Sequence, residues 1–267
     1  MTLRRGRAAL AAAALLILLV GCAAQTDADA RGTGTRSATP VAELSGTLTV
    51  FAAASLTETF DALAEEFERQ HPSVEVVVNY GGSGALAQQI VSGAPADVFA
   101  AASEATMQTV VDDGLAADPV AFATNTLELV VPAGNPGAVT GLPDLAQPEL
   151  AIALCDPVVP CGAAAEKLLA AVGVAAAPDT LEEDVKAVVT KVRLGEADAG
   201  LVYVTDVRAA GDDVEGIAIP EAAAAVNVYP ASPIAGSSNP EAAVAWIAML
   251  TGPEGRRVLT EAGFGEP

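Results

Sequence analysis

Apolar positions along this chain follow two alternating spacings. Short apolar or β-branched runs predict buried strands at Leu48–Phe51, Val74–Val78, Val98–Phe99, Thr126–Val131, Leu150–Leu154 and Ala199–Val204. Two shorter ones fall at Ile217–Ile219 and Ala225–Tyr229. Between the runs, apolar residues recur at helical spacing. Leu56, Phe60, Leu63, Ala64 and Phe67 form one face; Leu86, Ile90 and Val91 form a second; Ala165, Leu168, Leu169 and Val172 form a third. Further helices are predicted over Ser103–Asp113, Asp184–Leu194, Pro240–Leu250 and Pro253–Ala262, and His71-Pro72 stops the first, because proline cannot continue a helix. Alternation of this kind predicts an α/β protein built on open sheets flanked by helices. Ligands of such sheets bind outside the carboxyl ends of the strands.

Two of those strand ends carry a serine. Phe51-Ala52-Ala53-Ala54-Ser55-Leu56 passes from strand to helix, and Tyr80-Gly81-Gly82-Ser83-Gly84-Ala85 does so again. A serine at a helix start caps it by accepting a first-turn N–H. The same place also suits an anion, because free N–H groups and the positive end of the helix dipole point outward there. Both readings stand for Ser55 and Ser83. The glycine spacing around Ser83 is not that of a dinucleotide loop, and no Lys-Ser/Thr follows it as in a nucleotide phosphate loop.

The start of the chain has another character. Arg4, Arg5 and Arg7 precede an apolar run, Ala8–Val20, that is short for a membrane span and ends in Leu19-Val20-Gly21-Cys22. This is the layout of an export signal, residues 1–21, followed by a lipid-carrying Cys22. Residues 22–43, rich in Ala, Thr, Gly, Asp and Ser, read as a flexible tether. The formal charge of −21 falls to −24 when the three arginines of the signal are removed. That excludes nucleic acid and anionic membrane surfaces as partners, but not a small anion held by neutral donors. Cys155 and Cys161 are left as an even pair in an exported chain, a possible disulfide closing a short loop with two prolines. His71 is the single histidine and sits at a helix end, so a serine nucleophile has no evident base; Gly-x-Ser-x-Gly is absent around both serines. An enzyme is not expected, nor a resident cofactor.

The stretches Phe51–Leu56 and Gly93-Ala94-Pro95-Ala96-Asp97-Val98-Phe99 resemble the two signature segments of periplasmic molybdate-binding proteins, the solute receptors of ABC importers. Ser83 with Leu86–Ile90, Asp156–Gly162, Glu183-Asp184-Val185 and Gly200-Leu201-Val202-Tyr203 follow in the same order. The resemblance implies a two-lobed periplasmic-binding-protein (Venus-flytrap) fold, each lobe a mixed open sheet flanked by helices. Lobe I is expected over 44–125 and 231–267, lobe II over 126–230. It implies oxyanion contacts at Ser55 and Ser83 in one lobe and at Cys161, Val185 and Tyr203 in the other. Cys161 and Val185 would contribute backbone N–H groups and Tyr203 its phenol. Alanine is frequent in the family where Cys161 stands here, which suits a main-chain role. The implied ligand is molybdate, with tungstate, delivered to an ABC permease by a monomer tethered at the membrane through Cys22. Ferric iron is disfavoured, because iron receptors cluster tyrosines and only Tyr80, Tyr203 and Tyr229 occur, whereas sulfate stays open, because cavity volume cannot be read from sequence.

Overall fold

The computed structural model describes residues 43–267; the expected signal, Cys22 and residues 22–42 of the tether lie outside the described residues. Two five-stranded sheets organise the chain. The first contains β1 (Gly46–Ala53), β2 (Val74–Gly81), β3 (Val98–Ala100), β4 (Val120–Asn125) and β10 (Asn227–Pro233), in the order β2-β1-β3-β10-β4. The second contains β5 (Leu127–Pro132), β6 (Ile152–Cys155), β7 (Thr180–Glu182), β8 (Ala199–Tyr203) and β9 (Val214–Ile217), in the order β7-β6-β8-β5-β9. In each sheet three parallel strands are joined by an antiparallel fourth. The fourth strand is β10 in the first sheet and β5 in the second, each arriving from the other lobe.

The strand patterns follow from position. β3, β6 and β8 are buried along their whole length, and parallel strands covered on both faces read as continuous apolar runs. Edge strand β2 alternates, with Val74, Val76 and Val78 turned toward the core and Glu75, Val77 and Asn79 more exposed.

The helices are α1 (Thr57–Gln70), α2 (Ser83–Val91), α3 (Glu104–Asp112), α4 (Pro160–Val172), α5 (Val185–Arg193), α6 (Val204–Ala210), α7 (Pro240–Thr251) and α8 (Pro253–Ala262). In α1, Phe60, Leu63 and Phe67 recur on one face and are buried. Phe60 and Phe67 meet Trp246 of α7 edge-on at 5.6 and 5.5 Å, which fastens the C-terminal helices onto the first lobe. Each phenylalanine contributes about 1.5–3 kcal/mol of transfer free energy by its burial. The second lobe has its own core, in which α4 and α5 cover β6 and β8 through Leu168, Val188 and Val192. No helix among the described residues is long and apolar enough to cross a membrane.

Two features differ from the sequence expectation. The sheets exchange strands between Asn125 and Leu127 and again between β9 and β10. A boundary at 230/231 therefore cuts through β10, whose residues 227–230 already pair with β4. Pro230 interrupts the apolar pattern there, but it sits at a β-bulge, where a missing N–H breaks no ladder bond. β4, the three-residue β7 and α6 had no counterpart in the sequence pattern, and the strand expected at Ile217–Ile219 lies earlier, as β9. β7 is an edge strand with Leu181 half exposed, so it carries no apolar signal to read.

Candidate binding cleft

The carboxyl ends of β1, β2, β6, β7 and β8 face one another across the junction of the two lobes. After β1 the chain makes a 3₁₀ turn, Ala54–Leu56, and continues into α1. After β2, Gly82 leads directly into α2, of which Ser83 is the first residue. In the second lobe Cys161 lies in the first turn of α4, and Val185 begins α5. First-turn N–H groups have no carbonyl within their own helix, so both residues present donors. Tyr203 closes β8. The cavity between these elements is about 20 Å³ open to the centre of a water-sized sphere, and Ser55, Ser83, Cys161, Val185 and Tyr203 all line it. It is a space for one small group, not for an organic substrate.

Neither serine caps its helix. Ser83 Oγ accepts the N–H of Ala102 at 3.0 Å, which leaves its own proton for the cavity. Ser55 Oγ lies 2.9 Å from the Tyr229 hydroxyl. The Tyr203 hydroxyl accepts from Asn227 Nδ2 at 3.0 Å. Burial is the main cause that raises both Tyr203 and Tyr229 above the ordinary phenol range, so both remain protonated donors. Cys155 and Cys161 are joined by a disulfide that closes the 156–160 loop next to the cavity. Gly162 makes this loop possible, because a Cβ there would meet the backbone of Asp156 and Cys155.

The nearby carboxylates are occupied elsewhere. Asp184 Oδ1 caps α5 by accepting Ala187 N–H at 3.0 Å, and Asp156 Oδ1 accepts Val158 N–H at 3.0 Å. Asp97 precedes β3 at the amino end of the strand, away from the cavity, where it accepts from Thr49 N–H at 2.7 Å and from Ser237, Ser238 and Asn239. Burial acts to raise its pKa, but these hydrogen bonds outweigh it and hold the carboxyl below its ordinary value.

Lys186, on α5, bridges the lobes. Its Nζ sits 2.8 Å from both carboxylate oxygens of Glu58 on α1 and 3.2 Å from Asp206 Oδ1 on α6. His71 stacks on Phe67, away from the cavity.

Residues 48–265 match the family of bacterial extracellular solute-binding proteins. The chain belongs to that family. This solute-binding protein is 40% identical over 259 residues to the molybdate-binding protein ModA of Mycobacterium tuberculosis H37Rv, a match spanning 97% of each chain. The periplasmic molybdate-binding protein of Azotobacter vinelandii shares its fold with a TM-score of 0.70 and 25% identity, over 82% of this chain and 99% of the other. A Clostridium difficile domain described as the substrate-binding part of a molybdenum ABC transporter matches with a TM-score of 0.61 and 29% identity, over 83% and 99%. The two mixed sheets are thus the two lobes of the periplasmic-binding-protein fold.

The sequence reading passed over Asn125, Asn227 and Tyr229, which lie behind the cavity hydroxyls, and the contact between Lys186 and Glu58. The asparagines sit at strand ends, where an amide ordinarily marks a turn, so no local pattern singles them out. Tyr229 read as one more strand residue.

Proposed function

We propose that this protein is an extracytoplasmic receptor that captures molybdate, and tungstate with it, between its lobes and delivers the anion to an ABC permease. The observation that carries this is the convergence of donors on one small cavity. Ser55, Ser83 and Tyr203 offer hydroxyls, and the first turns of α4 and α5 offer the N–H groups of Cys161 and Val185. The relatives that bind molybdate support it.

A buried dianion is costly unless its oxygens are hydrogen-bonded. Neutral donors backed by helix N-termini meet that need without a counter-cation. Such a site also reads protonation. Molybdate, tungstate and sulfate carry no proton near neutral pH, so every oxygen accepts. Phosphate keeps a proton that requires an acceptor, and Asp97, Asp156 and Asp184 are all engaged within their own lobes. Discrimination against sulfate falls to cavity size. Lipidation of Cys22 would hold the receptor beside its permease as a monomer.

The test is thermal melting with molybdate, tungstate, sulfate, phosphate and ferric citrate. A ligand at about 100 times its Kd stabilises by about 2.7 kcal/mol, several degrees for a domain of this size. Shifts with molybdate and tungstate alone are expected. A larger shift with sulfate or iron would keep the fold and overturn the ligand.

A further inference from the structure

We propose that Asn227, paired with Asn125 where the chain crosses between lobes, and Tyr229 are positioning residues that turn the protons of Tyr203 and Ser55 toward the ligand. The proposal deepens the oxyanion reading and rests on it. The two asparagines are Cα partners in the β4–β10 ladder, and both are buried.

Their amide orientations follow from what they touch. The Asn227 terminal atom that lies 2.8 Å from the backbone oxygen of Ala102 must be nitrogen, because a carbonyl only accepts. The same atom lies 3.0 Å from the Tyr203 hydroxyl, so Asn227 donates and Tyr203 accepts. Asn125 Oδ1 accepts the N–H of Thr126 at 3.0 Å, which makes its other terminal atom the nitrogen. That nitrogen donates to Thr205 Oγ1 at 2.8 Å.

Protons then have one consistent direction. Tyr203, having accepted from Asn227, keeps its proton for an anion in the cavity. The Tyr229 hydroxyl lies 2.9 Å from Ser55 Oγ and supplies it with a donor when Ser55 turns its own proton to the ligand. Ser55 keeps its proton for the cavity. Ser83 reaches the same state by a separate route, through the Ala102 N–H. The Ala102 peptide therefore serves both sides, with its N–H on Ser83 and its carbonyl fixing Asn227. A hydroxyl is ambivalent by nature; here each cavity hydroxyl is supplied with a donor from behind and is left only its proton to offer.

The test is titration calorimetry of molybdate and of inorganic phosphate across pH 6–8.5 on the parent, Asn227→Asp and Tyr229→Phe. Asn227→Asp replaces a donor with an acceptor, so Tyr203 turns its proton back and faces the cavity with a lone pair. Tyr229→Phe leaves Ser55 free to rotate and accept. It adds no charge and keeps the ring contacts with Phe122 and Phe264, so it remains informative if the buried aspartate prevents folding.

Loss of one hydrogen bond to a charged ligand corresponds to about 10- to 100-fold in molybdate affinity. Phosphate binding should stay level or tighten, and tighten further as pH falls and phosphate gains protons. The preference for molybdate would then narrow by about tenfold or more in each folded variant. A folded Tyr229→Phe that loses both anions equally, or keeps the parent's ratio at every pH, overturns the proposal and leaves the asparagines a structural role. A parent that binds no molybdate overturns the ligand reading itself.

Discussion

Asp206 offers a prediction that can be worked to a number. Its side chain is fully buried on α6, one turn beyond Tyr203, whose N–H donates to Asp206 Oδ2 at 3.2 Å. Lys186 stands 3.2 Å from Oδ1. Burial pushes its pKa up from 3.8 to about 6, and Lys186 offsets only part of that cost. A carboxyl whose pKa is raised by folding binds its proton more tightly in the native state. Stability therefore falls as pH rises from 3.8 to about 6, and the loss is complete above that. The gap between the two pKa values corresponds to about 3 kcal/mol, of which about 2 kcal/mol falls between pH 4 and pH 7. The assay is urea unfolding of parent and Asp206→Asn at half-unit steps over that range. Groups such as Asp97, whose lowered pKa gives the opposite slope, are present in both proteins and cancel in the difference. Parent stability relative to the variant should rise by about 2 kcal/mol as pH drops from 7 to 4. A difference curve that is flat, or that rises with pH, would mean that Asp206 ionises like an exposed acid and would refute the reasoning.

Three further outcomes follow from the cleft. A Cβ on Gly82 would collide with the backbone oxygen of Glu183 in the opposite lobe, while φ of −60° at Gly82 suits alanine; Gly82→Ala should leave ligand-free stability equal or up to about 1 kcal/mol higher, yet cost about 100-fold in molybdate affinity and abolish ligand-induced compaction in small-angle scattering. Ser83→Ala removes a donor to the ligand and orphans the buried Ala102 N–H, so calorimetry should show an affinity loss of about 10- to 100-fold and melting a stability loss of about 1–3 kcal/mol. The double substitution Cys155→Ala/Cys161→Ala releases the loop that carries Val159, Pro160 and Cys161, and should lower stability by about 2 kcal/mol, read as a Tm drop of roughly 4–8 °C, together with molybdate affinity.

The sequence made some of this legible and hid the rest for physical reasons. Ser55 and Ser83 could be found because strand-to-helix junctions have a local signature, a β run followed by helical spacing. Val185 could not, because the contribution proposed for it is a backbone N–H and the side chain carries no mark of it; only the resemblance to a family named it. Cys161 is a similar case, complicated by a disulfide that draws attention to its sulfur when the proposed contact is its N–H. The parallel core strands β1, β6 and β8 announced themselves as apolar runs, whereas β7 and β4, lying at sheet edges, did not. Asn125, Asn227 and Tyr229 belong to a network whose side-chain partners lie 24 to 174 residues apart in sequence, and nothing local encodes such pairings. The bridge made by Lys186 was hidden for the same reason: helical spacing gives the face of α5, but not that α1 and α6 meet it there.

The placement of Lys186 also bears on how a strongly acidic chain can hold a dianion. The formal charge of −21 repels anions at long range, but salt screens that field within about 8 Å at physiological ionic strength. Inside the cleft the balance is local. A cation aimed at the ligand would attract any anion, protonated or not, and would select little. Lys186 stands close enough to the cleft to be such a cation, yet Asp206 and Glu58 hold it, and their charges outweigh the burial that would otherwise lower its pKa. Its charge is used to join α1 and α5 across the lobes. What faces the ligand is then a set of neutral donors with fixed direction. Such a set rewards a ligand only when every oxygen arrives as an acceptor, so selection passes from net charge to protonation state and size.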